Sequence, residues 1–391
     1  MKHRHCIAIV VSFVLLLYCI AIAFWGIPDK SFSEQENRAL QTLPRLDAEK
    51  LFSGELASLY NDYFADQFPL RNTLVAVKGT LELISGKGEN NGILFGKNGQ
   101  LAKRLFSMAR ADGEAATDSD VVDLVHLQNA ARGINRAAQN ADVPFLALLT
   151  GRTVDVASSA FFYPSDSSNA MLETLRQSVE GDVVYLDIVP DYRARYENGE
   201  YVYYRTDHHW TTLGAYYAYE ETMKAMGRAE EILPMDAFER KPVSTDFYGS
   251  LWSAAGMRWV SPDAVEFWVR GNEEAFSVVA DGRELDGFYN TKWLSKKDHY
   301  SAFLDGTHDV VTITRKDGAP RERLLIIKDS FANALAPFLA QHFDLVLLNL
   351  SSTRQDYTNV SALAREYDAD AVMLVYTIEN LLTADKLCRL K

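Results

Sequence analysis

The chain has 391 residues, of which 48% are apolar and 24% are charged, and this composition is ordinary for a globular protein. A net charge of −13 argues against general nucleic-acid binding, which needs clustered positive charge, and leaves room only for a short basic patch. Cys6 and Cys19 lie in an apolar N-terminal run, so Cys388 is the single thiol of the remaining chain. An internal disulfide and a thiolate metal cluster are therefore excluded there.

Residues 1–26 are predicted to be a membrane anchor or a signal sequence. Basic residues precede a long apolar run from Cys6 to Trp25, and about twenty helical residues span the roughly 30 Å core of a bilayer. The basic end should stay in the cytoplasm, so we expect a single-pass protein whose C-terminal part is extracytoplasmic. The alternative is cleavage after Ala21-Ile22-Ala23, which would release a secreted protein.

The next segments predict a tether and the start of a domain. Residues 27–53 are polar and irregular and are interpreted as a tether, and the domain occupies residues 54–391. Apolar spacing predicts helices over residues 56–83, which are interrupted at Pro69. Glycine turns between short apolar runs predict a β-hairpin within residues 92–106.

Helical and strand patterns then alternate, which predicts an α/β fold with a parallel sheet covered by helices on both faces. Between them lies a stretch, residues 228–320, whose strand-like composition and Asp-Gly turns predict a β-rich insertion. The predicted helices are 118–140, 169–181, 213–226, 331–343 and 359–367, and the predicted strands are 143–150, 182–190, 323–328, 344–350 and 370–376.

Ser330 is a candidate nucleophile because it lies at a turn between a predicted strand and a predicted helix. The carboxyl ends of parallel strands are where such folds place reactive groups, and backbone N–H groups at a helix start stabilise developing negative charge. The alternative is a helix N-cap, for which serine is a preferred residue.

Asp207 and His209 favour the catalytic interpretation. A serine nucleophile needs a base, and the base needs an acid that orients it and stabilises its charged form. His208 is expected to point elsewhere and to make a structural hydrogen bond with the backbone, because neighbouring residues project in different directions. A metal site would need three or four convergent ligands, and Asp207 with one histidine supplies two. His299 and His308 could contribute further ligands, so a metal site is disfavoured but stays an alternative. Asn380 follows a later strand and is either an oxyanion donor or a turn asparagine.

Three segments carry a resemblance to a known family: "FSEQENRALQTLP" from Phe32, "TDHHWTTLGAYY" from Thr206 and "KDSFAN" from Lys328. They resemble the family named for its DHHW motif, and the elements after Ser330 look like the first half of the SGNH hydrolase fold. That family is similar to the SGNH-like enzymes of alginate and cell-wall O-acetylation. The resemblance covers about residues 32–380 and implies an SGNH-like three-layer sandwich in permuted order, with the Asp-x-His box before the serine.

The resemblance also implies roles for individual residues. Ser330 would be the nucleophile, His209 the base and Asp207 its orienting acid. Asn380 matches the block asparagine of SGNH enzymes, and Asn349 lies near the expected position of the oxyanion glycine, which has no clear counterpart in this chain. No metal and no cofactor are implied.

The implied function is an extracytoplasmic serine-dependent O-acetyltransferase that acts on a cell-surface or secreted polysaccharide. A membrane-bound O-acyltransferase is the expected partner and acyl donor, because acetyl-CoA is absent outside the membrane. A carbohydrate esterase with the same triad is one alternative. A non-catalytic glycan-binding or scaffold protein, whose aromatic residues stack on sugars, is the other.

Overall fold

The computed structural model describes residues 2–33, 38–104, 124–162, 177, 179, 181–256, 259–352 and 354–391. The chain divides into two compact units, one formed by residues 1–90 and 253–259 and the other by residues 91–252 and 260–391. Most of the helix predicted over 169–181, and the first residues of the helix predicted over 118–140, lie outside the described residues.

The first unit is mainly helical. Its elements are helices α1 (Lys2–Gly26), α2 (Ala48–Ser53), α3 (Glu55–Gln67) and α4 (Arg71–Ile84), and short strands β1 (Phe32–Ser33), β2 (Arg38–Ala39) and β3 (Glu89–Asn90). The predicted interruption at Pro69 separates α3 from α4. Within the described residues, Ile7–Gly26 is the one helical segment long and apolar enough to cross a membrane, as an anchor or signal sequence would be. Residues 27–53, predicted as a tether, contain β1, β2 and α2.

The second unit contains the α/β pattern. Its strands are β4 (Ile93–Phe95), β5 (Leu101–Lys103), β6 (Phe145–Thr150), β7 (Val183–Asp187), β8 (Glu239–Phe247), β9 (Asp263–Val269), β10 (Phe276–Ala280), β11 (Arg283–Leu285), β12 (Val310–Arg315), β13 (Arg323–Lys328), β14 (Asp344–Asn349) and β15 (Ala371–Thr377). Its helices are α5 (Leu124–Asn140), α6 (Thr153–Val156), α7 (Val189–Glu197), α8 (Thr212–Ala225), α9 (Ser250–Ala255, which continues into the first unit), α10 (Ala332–Leu339), α11 (Val360–Glu366) and α12 (Ile378–Leu381). The hairpin predicted within 92–106 is the antiparallel pair β4–β5.

Eight of these strands form one sheet in the order β11-β10-β12-β14-β13-β15-β6-β7. The five strands from β14 to β7 are parallel, whereas β10, β11 and β12 extend the sheet in antiparallel fashion. The predicted α/β fold is thus confirmed, and the sheet is mixed. Residues 228–320 are predicted as a β-rich insertion, and the structure describes all of them except 257 and 258. The described residues form five strands: β8 and β9 make a separate pair, and the other three belong to the main sheet.

Side chains that alternate along β13 bury both faces of the sheet. Leu324 and Ile326 belong to a core that includes residues of α8 and α10, while Leu325 and Ile327 belong to a second core with residues of α5 and α11. A strand with apolar side chains on both faces is buried only when helices cover both of them. The arrangement is therefore three-layered, as predicted.

The connections of β13 determine where the chemistry can take place. The chain leaves β13 through α10 to β14 on one side, and it returns through α11 to β15 on the other side. In open α/β sheets, the crevice at such a switch point, beyond the carboxyl ends of the strands, is the usual ligand site. Ser330 lies two residues after β13, at this switch point.

Gly133 in α5 provides a test of this packing. A Cβ atom at residue 133 would lie 1.9 Å from the carbonyl oxygen of Leu387. Replacing glycine by alanine within a helix usually stabilises it by about 1 kcal/mol, but overpacking against a backbone costs roughly 1–3 kcal/mol or more. We expect Gly133→Ala to destabilise the protein by about 2 kcal/mol, measured by urea unfolding in detergent. Gly181→Ala, where a Cβ meets nothing within 4 Å, is the control, and equal stability of the two variants would contradict this packing.

Candidate active site

A tight loop brings Asp207 and His209 to the carboxyl edge of the sheet. Tyr203 and Trp210 form an isolated antiparallel bridge, and the Tyr204 N–H donates to the His209 carbonyl. Helix α8 begins immediately afterwards, where Thr211 caps it by accepting a hydrogen bond from the Gly214 N–H. The loop is thus closed at its base by the bridge and followed by a capped helix, which limits its freedom.

A hydrogen-bonded chain links Ser330, His209 and Asp207. His209 Nε2 lies 2.6 Å from Ser330 Oγ, across 121 residues of sequence. His209 Nδ1 lies 2.5 Å from Asp207 Oδ1. Asp207 and His209 are buried and Ser330 is half-buried. The structure therefore brings together the three residues predicted as nucleophile, base and orienting acid, in the geometry that activates a serine hydroxyl.

The charges around the pair favour a neutral imidazole next to an ionised carboxylate. Burial by itself raises the pKa of Asp207, but the charges of His208 and His209 and hydrogen bonds from His209 and Ser250 hold that pKa well below its usual range. Burial and the charge of His208 lower the pKa of His209, and Asp207 opposes this shift. His209 can therefore accept the Ser330 proton at neutral pH, and Asp207 can stabilise the imidazolium that forms.

Ser250 and Gly249 fix the second oxygen of Asp207. The Ser250 backbone N–H and hydroxyl both donate to Asp207 Oδ2, at 2.8 and 2.9 Å. A Cβ atom at Gly249 would lie 2.3 Å from Asp207 Cβ. The backbone at the start of α9 can approach the carboxylate this closely only without a side chain at residue 249.

The ring of Tyr300 packs against the face of the His209 imidazole. Its ring stacks on His209 with a centroid separation of 3.7 Å and an interplanar angle of 8°. Its hydroxyl donates to the carbonyl oxygens of Ser330 and Phe331, at 3.3 and 3.4 Å. Tyr300 therefore touches His209 with its ring and the backbone of Ser330 with its hydroxyl, which restrains the two residues relative to one another.

Asp329 holds the turn that carries Ser330. Its carboxylate accepts hydrogen bonds from the Phe331 N–H at 3.0 Å, the Thr377 N–H at 2.7 Å and the Asn380 side-chain amide at 2.9 Å. The turn after β13 is therefore tied to the end of β15. Asn380 lies at the expected edge of the sheet, and the contact that the structure shows for its amide is with Asp329.

Asn349 and Lys328 lie side by side at the ends of β14 and β13. The Asn349 side-chain oxygen accepts a hydrogen bond from the Ser351 N–H. Burial lowers the pKa of Lys328 to about 8, and its ammonium group donates to Asn333 Oδ1 at 2.6 Å. No hydrogen bond joins Asn349 or Asn380 to Ser330 in the described part of the chain, so their oxyanion roles stay predictions.

His208 departs from the expectation of a backbone hydrogen bond. Its Nδ1 lies 2.7 Å from Ser250 Oγ, and its side chain is 36% exposed. It lines a small groove next to the nucleophile together with Leu251 and Phe331. His208 contacts a side chain because Ser250, 42 residues later in the chain, brings its hydroxyl within hydrogen-bond distance of the imidazole.

The same cluster has the composition of a metal site but not the spacing of one. Asp207, His208 and His209 offer ligand atoms within 4.8 Å of one another. Two ligands about 2.0–2.2 Å from a tetrahedral zinc ion lie about 3.3–3.6 Å apart. The 2.5 Å between His209 Nδ1 and Asp207 Oδ1 is a hydrogen-bond distance instead. We interpret the cluster as a proton-transfer site.

Four residues of the site were not predicted from the sequence: Gly249, Ser250, Tyr300 and Asp329. Asp329 had a local signal, because an acid directly precedes the candidate serine in "KDS". Ser250 and Tyr300 come from the β-rich stretch, where strand composition and turns carry no information about contacts with residues 207 and 209.

A family model described as DHHW protein matches residues 152–349, just over half of the chain, and that range contains Asp207, His209 and Ser330. No curated protein matches the chain.

Solved structures with a similar fold include a DHHW family protein from Eubacterium siraeum, with a TM-score of 0.57 and 16% identity, covering 76% of this chain and 95% of that chain. Bacillus cereus PatB1 with a sulfonyl adduct has a TM-score of 0.61 and 19% identity, covering 76% of this chain and 98% of that chain. At these identities the likeness shows a shared fold.

The lowered pKa of His209 predicts the pH dependence of ester cleavage. The neutral imidazole is the active form, so kcat/KM for 4-nitrophenyl acetate should fall as the pH drops through a pKa below the usual 6.5. Asp207→Asn should lower the rate roughly 10³–10⁴-fold and move this midpoint to lower pH, because the carboxylate raises the pKa of the imidazole. A wild-type midpoint above 6.5 would contradict the assignment.

Gly249→Ala tests the contact between α9 and Asp207. The added Cβ would overlap Asp207 Cβ and Oδ2, so Asp207 must shift. A displacement of about 1 Å in such a site costs on the order of 100-fold in rate. Stopped-flow measurement of the rate of serine acylation should show this loss in a variant with a normal circular dichroism spectrum. Wild-type acylation in this variant would mean that the position of Asp207 is unimportant.

Proposed function

The chain belongs to the DHHW family, and from this premise we propose that it is an extracytoplasmic serine-dependent O-acyltransferase that acetylates a cell-surface or secreted polysaccharide. The observation that carries the proposal is the hydrogen-bonded chain from Ser330 through His209 to Asp207. The motif segments resemble those of relatives of O-acetylation enzymes. This resemblance is the reason for proposing acetyl as the transferred group and a polysaccharide as the acceptor.

The proposed reaction proceeds in two halves. Ser330 Oγ attacks the carbonyl carbon of the acyl donor while His209 Nε2 takes its proton, and the leaving group departs with that proton. An acceptor hydroxyl then attacks the acyl-serine, His209 takes the hydroxyl proton, and Ser330 leaves and recovers it. Asp207 stabilises the imidazolium in both halves.

Asn380 is proposed as a donor to the oxyanion. A side-chain amide has two protons, and Asp329 accepts a hydrogen bond from it, so a second donor position is available for the substrate carbonyl. Asn349, which lies next to Lys328 at the end of β14, is proposed as a second donor. Permuted order relative to ordinary SGNH enzymes is part of the proposal, because Asp207 and His209 precede Ser330 in the chain.

The apolar helix α1 supports a membrane location. A domain held at the outer face of the membrane would lie next to a membrane-bound O-acyltransferase, which we propose as the acyl donor. No cofactor and no metal enter the proposed reaction. The second candidate function is a carbohydrate esterase. Ser330 is only half-buried, and this exposure favours the esterase because water could reach an acyl group on the serine.

An acetyl group trapped on Ser330 is the expected result when the protein in detergent is incubated with 4-nitrophenyl acetate, quenched in acid and analysed by peptide mass spectrometry. A serine-reactive fluorophosphonate should label the same residue. Ser330→Ala should abolish both signals, and His209→Ala should slow them by roughly 10³-fold or more. An unlabelled wild-type protein would favour a non-catalytic glycan-binding or scaffold role. A labelled enzyme that releases acetate equally fast with and without carbohydrate acceptors would favour the esterase.

A further inference from the structure

His208 has a place in the site that the triad does not explain. Its ring lies 3.9 Å from the ring of His209 and 6.1 Å from that of Phe331, centroid to centroid. It lines the groove next to the nucleophile and is 36% exposed. A substrate bound over Ser330 would therefore meet the imidazole of His208 as well as that of His209.

The hydrogen bonds around Ser250 determine which nitrogen of His208 faces a substrate. Ser250 Oγ lies 2.9 Å from Asp207 Oδ2 and 2.7 Å from His208 Nδ1. An ionised carboxylate only accepts, so the single hydroxyl proton of Ser250 goes to Asp207. The hydroxyl must then accept from His208 Nδ1–H, so in the neutral form of His208 the one ring proton lies on Nδ1. Nε2 is left as a hydrogen-bond acceptor.

The acylated hydroxyl cannot be the group that Nε2 binds. A hydroxyl has one proton, and in the second half of the proposed reaction that proton goes to His209 Nε2. His208 Nε2 therefore needs a different hydrogen-bond donor. On a sugar ring, the nearest such donor is the hydroxyl next to the attacking one. The groove is also lined by Lys103, Arg152, Thr153, Thr377 and Glu379. Of these, Thr153 has a buried Oγ1 without a hydrogen-bond partner among the described residues.

We infer that His208 Nε2 accepts a hydrogen bond from a second hydroxyl of the acceptor, adjacent to the one that is acylated, so that the enzyme selects vicinal diols. This inference rests on the proposed function. His208 positions the acceptor and takes no proton in the reaction. The bond that forms joins the attacking oxygen to the acyl carbon, the bond that breaks is the Ser330 ester, and the proton passes through His209 to Ser330.

A pair of matched acceptors tests the inference on the full-length protein in detergent. With 4-nitrophenyl acetate as acyl donor, the ratio of transfer to hydrolysis is measured for trans-1,2-cyclohexanediol and for cyclohexanol. These compounds share a ring and one hydroxyl, and the diol adds the adjacent hydroxyl. The wild-type enzyme should prefer the diol about tenfold, beyond the statistical advantage of its second hydroxyl.

His208→Phe keeps an aromatic ring and removes the acceptor nitrogen. It should reduce the diol preference to the statistical value, while the burst of 4-nitrophenol from acylation changes far less than transfer does. His208→Gln, whose amide oxygen can accept, should restore part of the preference. This second variant keeps the test valid if the first folds poorly.

The outcomes separate the two proposals. A wild-type enzyme that forms acyl-Ser330 but shows only the statistical diol preference overturns the inference and leaves the proposed nucleophile intact. The same holds if His208→Phe keeps the full preference. A wild-type enzyme that forms no acyl-Ser330 overturns the proposed function, and the inference falls with it.

Discussion

One hydrogen bond, between His209 Nε2 and Ser330 Oγ, joins two parts of the chain that are 121 residues apart. It requires a neutral imidazole, held within about 3 Å of the hydroxyl and pointed at it. Each structural feature around the site serves this constraint. The bridge between Tyr203 and Trp210 closes the histidine loop, and Asp263 anchors the same loop by accepting hydrogen bonds from the backbone of Arg205 and Thr206. On the other side, Asp329 ties the serine turn to the end of β15.

The sheet explains why the serine turn is rigid. Strand β13 lies between β14 and β15 and is parallel to both, so its backbone hydrogen bonds are satisfied on both edges and both of its faces are buried. A central strand of this kind cannot shift register without moving apolar residues out of two cores. The turn that follows is held in place by the strand. Three hydrogen bonds accepted by the Asp329 carboxylate restrain the turn further, and with it the orientation of Ser330.

The β-rich stretch contributes directly to the site. Ser250 lies between β8 and β9 and fixes Asp207, and Tyr300 lies in a short 3-10 turn, His299–Ala302, and stacks on His209. The stretch thus packs against Asp207 and His209 and limits the rotation of their side chains. Burial lowers the pKa of His209. The charges of His208 and His209, with hydrogen bonds from His209 and Ser250, hold the pKa of Asp207 below its usual range despite the same burial. Burial raises the pKa of Asp207 and lowers the pKa of His209, and the hydrogen bond between the two residues opposes both shifts. A general base and its orienting acid need the net result, which is a neutral imidazole next to an ionised carboxylate.

The sequence by itself determined the alternation of helices and strands, the apolar N-terminal helix, and the three residues Asp207, His209 and Ser330. These follow from local properties: residue periodicity, turn residues, and an Asp-x-His box and a serine at the edges of predicted elements. Tertiary structure decided the strand order, the addition of β10, β11 and β12 to the main sheet, and the partners of His208 and Asn380. Those outcomes depend on contacts between residues far apart in the chain, such as Ser250 with Asp207, and nothing in the local composition around either residue specifies the other. The local sequence indicates which helix, strand or turn carries a side chain. Only tertiary packing determines which distant hydroxyl or carboxylate becomes its hydrogen-bond partner.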